Sequence, residues 1–551
     1  MINRSLFLLA ITIISLTMPA QSQAVKTTVS ATAKPKLVVG IVVDQMRWDY
    51  LYRFYDLYGN AGFKRMLNQG FSCENALIPY MPTYTAAGHA CVYTGSVPAI
   101  HGIMGNNWYD KVGKRSVYCT EDSSVSTVGT TGDAGKMSPL NMWTTTVTDE
   151  LRLSNNFKSK VIGIAIKDRG SILPAGHSAN AAYWYEGKTG KWITSSYYMK
   201  ALPEWVNKFN AKDLVSDYMK TDWNTLLPIS KYDLSSADDK PYERAIPGEK
   251  TVTFPHRLST MTTEKYSSFP YTPGAATFTF DFAKQAIENE QLGASGVTDF
   301  LAISISSTDY IGHSFGPNSV EVEDSYLRLD KDLGDLFTYL DTKYGAGNYL
   351  SFLTADHAVA HTPAFLKEHN LPGGVFSMGD IVKTANQKIE EKFGVKSGIL
   401  SAQNYQVYLN TSEFEKAGKN VAEVANFVVS FLKQQPLVVE AVSFHNFGSS
   451  TLPAPQNDMY INGFNPQRGG DILFTIKPGY FEGSDKGTTH GSWNPYDSHI
   501  PMVFFGWNVK PGKTNRETYM TDIAPTVAAM LQIQMPSGSV GKVVTEITSQ
   551  K

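Results

Sequence analysis

Between Pro82 and Gly95 the chain reads PTYTAAGHACVYTG, hydroxyl side chains set among alanines and glycines, with His89 and Cys91 between them. The stretch is too polar for a buried strand and too small-sided for an ordinary core helix. Pro82 sets an extended turn, and AAGHACVYTG then predicts a helix of small side chains. A hydroxyl at the start of that helix has two uses. Thr83 or Thr85 could cap it by accepting a backbone N–H. Alternatively, one is a nucleophile, which a hydroxyl becomes at neutral pH only when a base or metal holds it as an alkoxide. Thr85 suits the second use, because Ala86 and Ala87 leave the first turn open and the positive dipole end favours an anion there. The segment alone leaves both readings standing; a metal centre nearby favours Thr85 as the nucleophile.

Other segments place ionisable side chains at the ends of apolar runs. KLVVGIVVD ends in Asp44, KVIGIAIKDR in Lys167 and Arg169, and NYLSFLTADH in Asp356 and His357. DFLAISISSTD runs to Asp309, with His313 after it, and His490 lies in GTTHGSW between the runs DILFTIK and IPMVFFG. One aspartate at a strand end is ordinarily a turn or helix cap, and one lysine is ordinarily solvated. Three carboxylates and three imidazoles at one sheet edge are different: without cations they repel or stay unpaired. Mixed Asp and His ligands suit zinc or a related divalent ion better than calcium or magnesium. Six ligands exceed what one tetrahedral zinc with an open position needs, and fit two. Two zinc ions about 3.5–4 Å apart clamp the attacking and leaving oxygens of a phosphoryl displacement.

The elements that must position these groups are legible as patterns. Near-continuous apolar runs without alternation are what strands covered on both faces of a parallel sheet look like. Between them, NSVEVEDSYLRLDKDLGDLFTYLDTKYG puts Leu329, Leu333, Leu336, Phe337 and Leu340 on one helical face, with Asn318 placed to cap its start and Gly345 its end. TDIAPTVAAMLQI predicts a helix opened by Asp522 with Pro525 in its first turn. The alternation implies an α/β three-layer sandwich with a mainly parallel central sheet. Ligands bind such sheets at the carboxyl ends of the strands. Two long stretches, about 176–285 and 380–468, are expected to cap or flank the sheet as insertions in one catalytic domain spanning 25–551.

The first residues carry Arg4, the apolar run LFLLAITIISL and the small-residue stretch PAQSQA, which predicts a signal peptide over 1–24 cleaved after Ala24. The run is too short to span a bilayer. The expected product is a periplasmic or extracellular protein with no membrane anchor. Lys plus Arg is 49 against 51 for Asp plus Glu, a net charge of −2 that gives no reason to expect nucleic acid as a partner. Three cysteines, Cys73, Cys91 and Cys119, do not make a disulfide scaffold, although one bridge is possible, and none has zinc-site spacing.

The set Asp44, TAAGH from Thr85, Lys167-x-Arg169, Asp309-x-x-x-His313, Asp356-His357 and Thr-His490-Gly resembles the alkaline phosphatase superfamily, and within it the phosphate-irrepressible alkaline phosphatases of Bacteroidetes. The likeness runs through VVDQMRWDYL, TGSVPAIHGIMGN, STDYIGHSFGPNS, YDSHIP and MTDIAPT. It implies two zinc ions, one on Asp309, His313 and His490, the other on Asp44, Asp356 and His357 with Thr85 as alkoxide. It also implies that Asn106, Lys167 and Arg169 contact phosphoryl oxygens, and that the enzyme hydrolyses small-molecule organophosphates through a phosphothreonine; a monomer is expected. Two cations at that end favour a dianionic monoester over a diester. Ala358 stands where the superfamily commonly has glycine. A nucleotide pyrophosphatase/phosphodiesterase with the same core is the nearest alternative, since it shares the threonine. Sulfatases need C/S-x-P-x-R, which none of the cysteines has. GHSFG matches a G-x-S-x-G serine-esterase elbow at Ser314, but an elbow needs a strand running straight into the serine and a helix after it, whereas TDYIGH and Pro317 flank this one. A non-catalytic metal or phosphate binder would have no use for the hydroxyl.

Overall fold

Seven consecutive residues, Leu37–Val43, form β1 and are buried on both faces. The computed structural model describes residues 34–549, so the predicted signal peptide lies outside the described residues. β2 (Phe71–Leu77), β3 (Val161–Ala165), β4 (Ala181–Glu186), β5 (Lys191–Ser195), β6 (Asp299–Ile305), β7 (Tyr349–Thr354), β8 (Met502–Gly506) and β9 (Gly512–Tyr519) join β1 in one sheet. The order is β2-β8-β7-β1-β6-β3-β4-β5, with β9 beside β2 and two short strands completing eleven. The five strands β7, β1, β6, β3 and β4 are mutually parallel, and the first four are apolar runs that predict this.

Two of the six runs behave otherwise. IPMVFFG forms β8, which is antiparallel to β7. DILFTIK forms Ile472–Ile476, which lies in a separate four-stranded sheet with Ile399–Gln403, Gln406–Leu409 and Val438–Ser443. That sheet has an apolar cluster of its own, including Ile389, Phe414, Val424 and Phe474. A fully buried strand reads the same whichever sheet covers it, so periodicity does not separate the cases. The stretch 176–285 also does more than flank, since β4 and β5 lie within it.

Helices cover both faces. In chain order, α1 is Thr85–Thr94, α2 Asp168–Ala175, α3 Ser307–Phe315, α4 Val320–Tyr344 and α5 Ile523–Leu531. Phe504 and Phe505 are successive residues of β8 and point to opposite faces. Phe504 and Phe352 share the face that meets Tyr93 of α1, while Phe505 meets Phe337 of α4 at 5.1 Å. α4 begins one residue later than expected: Ser319, not Asn318, accepts the Val322 N–H, and Gly345 ends the helix at φ 87°. Asn318 instead faces His361 Nδ1 at 2.6 Å. Cys73, Cys91 and Cys119 are buried and free, so the possible bridge is not formed.

The parallel strands end level. Val43 is opposite Ile305, Val42 opposite Thr354, and Ala165 opposite Ser304. Asp44, Lys167, Asp356 and Asp309 therefore leave four neighbouring strands along one edge. α1 lies directly over that edge, and every one of its residues is buried. Gly88 permits the approach: a Cβ there would sit 2.2 Å from the Asp356 carbonyl oxygen. We expect Gly88→Ala to cost about 1–3 kcal/mol of stability, the usual range for overpacking. Urea denaturation measures it, and an unchanged midpoint would show that α1 does not need this contact.

Candidate active site

Asp44, Asp356 and His357 offer ligand atoms within 4.8 Å of one another, and so do Asp309, His357 and His490. The sets abut at His357, whose ring stacks on that of His490 at 3.5 Å. His313 stands one helical turn along α3 from Asp309, with Nε2 3.2 Å from Asp309 Oδ1. All six side chains expected from the sequence as ligands thus gather at one edge, with His357 within reach of both groups and His313 beside Asp309.

The imidazoles are set to ligate through one nitrogen. Nδ1 faces a backbone carbonyl in each: Thr488 for His313 at 2.7 Å, Ala358 for His357 at 3.0 Å, and Thr83 for His490 at 2.7 Å. A carbonyl only accepts, so Nδ1 carries the hydrogen and the bare Nε2 turns inward, the form a metal requires. Burial, then the neighbouring His357 and His313, hold His490 well below its usual pKa, and burial lowers His357 as well. Asp44 Oδ1 and Asp356 Oδ2 are buried and have no hydrogen-bond partner. His89 Nδ1 lies 3.3 Å from Asp356 Oδ2, and carboxylate oxygens so placed beside inward-turned imidazole nitrogens fit a divalent ion.

Lys167 meets one carboxylate from each set, Asp44 Oδ2 at 2.8 Å and Asp309 Oδ2 at 2.5 Å. One ammonium cannot neutralise both. Despite burial, His313 and Lys167 hold Asp309 well below the carboxylate range, whereas burial and the charges of Asp309 and Asp356 push Asp44 well above it. Asp44 can ionise here only when further positive charge is supplied.

Thr85 is the first residue of α1, after an extended Tyr84, and its side chain makes no capping bond. Thr83 does not cap either, since its hydroxyl donates to Ser492 O. Thr85 Oγ1 instead lies 3.3 Å from His357 Nε2, inside the ligand cluster. Asn106 Oδ1 accepts the Ala86 N–H at 3.0 Å, which leaves its Nδ2 donors for another acceptor. Arg169 Nη1 donates to the Tyr118 hydroxyl at 3.0 Å, which donates to Asp168. Ser314 lies within α3, followed by Phe315, and has no strand running into it, so it is not a nucleophile elbow.

A family model for type I phosphodiesterase / nucleotide pyrophosphatase matches residues 38–497. The chain belongs to this family. Within it, the chain is 54% identical over 94% of its length to alkaline phosphatase PhoV of Synechococcus elongatus, covering 93% of that protein. It is equally 54% identical over 94% of its length to a Myroides odoratus protein named a calcium-transporting ATPase, covering 95% of it. Against the crystal structure of alkaline phosphatase PafA, the counterpart from Elizabethkingia meningoseptica, the TM-score is 0.90 at 50% identity, over 94% of this chain and 99% of that one. Another PafA structure carries substitutions at one threonine, one asparagine, one lysine and one arginine.

Two site residues of this family member escaped the sequence reading. Gln45, at φ 67°, donates from Nε2 to Asp309 Oδ1 at 2.8 Å and from its main-chain N–H to Asp356 Oδ1 at 3.2 Å. It joins the two ligand sets, and Gly312 makes room for it, since a Cβ there would lie 2.0 Å from Gln45 Oε1. His89 pins the Thr85 carbonyl and Ser304, each at 2.8 Å. Nothing in the letters VVDQ or GHA announces a left-handed backbone or a tertiary hydrogen bond. In metal-free protein, Lys167→Met should lower stability by about 3–5 kcal/mol, because it leaves buried carboxylates unpaired. Added zinc should recover most of that loss in a urea titration; an unchanged metal-free midpoint would contradict the charge assignment.

Proposed function

We propose that this chain is an alkaline phosphatase that hydrolyses phosphate monoesters of small molecules through a phosphothreonine at Thr85. The observation that carries the reading is the uncapped Thr85 hydroxyl, 3.3 Å from His357 at the start of a buried helix and within a cluster of three carboxylates and three imidazoles. Its likeness to PhoV and PafA over nearly the whole chain supports the same reaction. The four residue types altered together in the PafA variant occur here in the same chain order as Thr85, Asn106, Lys167 and Arg169, which supports their roles. The relative named as an ATPase would also break a phosphoryl–oxygen bond, and among the described residues no helix is long and apolar enough to cross a membrane.

The residues fit two zinc ions, one held by Asp44, Asp356 and His357, the other by Asp309, His313 and His490. Bound there, the ions would supply the charge that keeps Thr85 an alkoxide and eases departure of the leaving oxygen. Thr85 Oγ1 attacks phosphorus as the bond to the alcohol oxygen breaks; water then cleaves the phosphothreonine and restores the hydroxyl. The positive dipole end of α1 favours the incoming anion. Asn106 Nδ2 donates to one phosphoryl oxygen, while Lys167 and Arg169 balance the others. Tyr118 and Asp168 hold the Arg169 guanidinium from behind. Residues 1–24 would export the protein to the periplasm or beyond as a monomer.

The phosphodiesterase reading shares Thr85 and the ligands. Lys167 and Arg169 favour the monoester, because a diester masks one of the oxygens they would meet. Thr85→Ala should lower turnover of a monoester by about 10³-fold or more. Lys167→Ala with Arg169→Ala should reduce the monoester-to-diester ratio of kcat/KM by at least about tenfold. Assay of a matched ester pair on the zinc-loaded enzyme decides: a diester preference in the unaltered chain would move it to the alternative.

A further inference from the structure

The segment carrying Asn106 packs Ile103, Met104 and Trp108 in a cluster with Ala86 and Ala90 of α1 and pairs with Arg115–Tyr118, and it is held from a second side as well. It leaves α1 at Gly95, makes a single turn at Pro98–His101, passes Gly102 at φ 81°, and reaches Asn106 just before the short strand Asn107–Asp110. Further contacts come from residues roughly three to four hundred positions later, in and beside the separate four-stranded sheet. Arg468 Nη1 donates to Gly102 O at 2.7 Å and to Asn141 O at 2.6 Å. Its guanidinium lies over two indoles, 4.7 Å from the Trp108 ring centre and 4.1 Å from that of Trp143. Arg468 thus grips the chain on both sides of Asn106, at Gly102 and at Trp108. A side chain at Gly102 would remove this contact, since its Cβ would fall 2.8 Å from Arg468 Nη1.

A second hold comes from the hairpin joining Ile399–Gln403 to Gln406–Leu409. Its two turn residues, Asn404 at φ 56° and Tyr405 at φ 59°, are both left-handed, the geometry of a tight type I′ turn. Asparagine adopts it readily; a bulky tyrosine rarely does. Asn404 Nδ2 donates to Asn107 O at 2.6 Å and packs against Gly105. Tyr405 is buried with its ring against Gly491, next to His490. The hairpin tip therefore touches the loops on both sides of the Thr85 hydroxyl.

We propose that the separate sheet is a clamp that fixes the Asn106 carboxamide in register with the start of α1, with Arg468 and Asn404 as its positioning residues. The proposal rests on the reading of Asn106 as a phosphoryl contact. Neither clamp residue touches the reacting atoms. Each acts through the backbone flanking Asn106, where a small misplacement of a transition-state donor is costly.

The test is a double-mutant cycle on the zinc-loaded, full-length chain, reading kcat/KM for a phosphate monoester. Arg468→Ala and Asn404→Gly are each made with Asn106 present and in Asn106→Ala. Glycine keeps the left-handed turn while deleting the amide donor, so Asn404→Gly carries the test if Arg468→Ala fails to fold. We expect each to lower kcat/KM about tenfold with Asn106 present and less than about twofold without it. Binding of inorganic phosphate as a competitive inhibitor should weaken in the same pattern. Equal losses in both backgrounds, or none with Asn106 present, would overturn the clamp while leaving the Asn106 reading intact. If Asn106→Ala alone costs nothing, that reading fails and the clamp falls with it.

Discussion

Lys167 sits between Asp44 and Asp309, buried and bonded to both, at the level edge where four parallel strands end. Burying three carboxylates together in this way is unfavourable unless positive charge meets them. One ammonium does not reach Asp44 Oδ1 or Asp356 Oδ2, which have only the imidazoles of His357 and His89 near them. Each of the three imidazoles is turned by a carbonyl so that Nε2 points inward, and burial disfavours charge on His357 and His490. Ionising all three carboxylates together requires further positive charge, and divalent ions are what this donor set accommodates. The same electrostatics would let an ordinary threonine act, because an alkoxide is stable only where cations outweigh carboxylates.

The scaffold serves that edge from two sides. The sheet supplies Asp44, Lys167, Asp309 and Asp356 by register alone. Thr85, Asn106 and His490 arrive on separate segments and have to be held there. α1 is held by Gly88 against Asp356. The loop before His490 is held by Arg244, whose Nε donates to Lys486 O at 2.7 Å. The Asn106 segment is held by Arg468 and Asn404. Arg244 and Arg468 belong to the two long stretches between the main strands, so these stretches brace the site as well as cover the core.

Much of this was legible in the sequence, because its signals were local. Apolar runs ending in Asp or Asp-His marked the strand ends, and TAAGH after a proline marked the helix start. Ligand separation along the chain did not obscure the set, since parallel strands bring their ends together whatever lies between them. What stayed hidden depended on tertiary pairing. DILFTIK could not announce its separate sheet, nor IPMVFFG its direction. Gln45 gave no hint of its positive φ, and Arg468 none of the two indoles it lies over. His357 stacked on His490 joins ligand groups that residue order keeps apart.

The account stands or falls on cations at the sheet edge. Protein stripped by exhaustive chelation should be folded and inactive. Stepwise addition of zinc, with bound metal and monoester hydrolysis followed in the same samples, should restore full turnover only as occupancy reaches two ions per chain. Full turnover in the stripped protein, or saturation at a single ion, would contradict it.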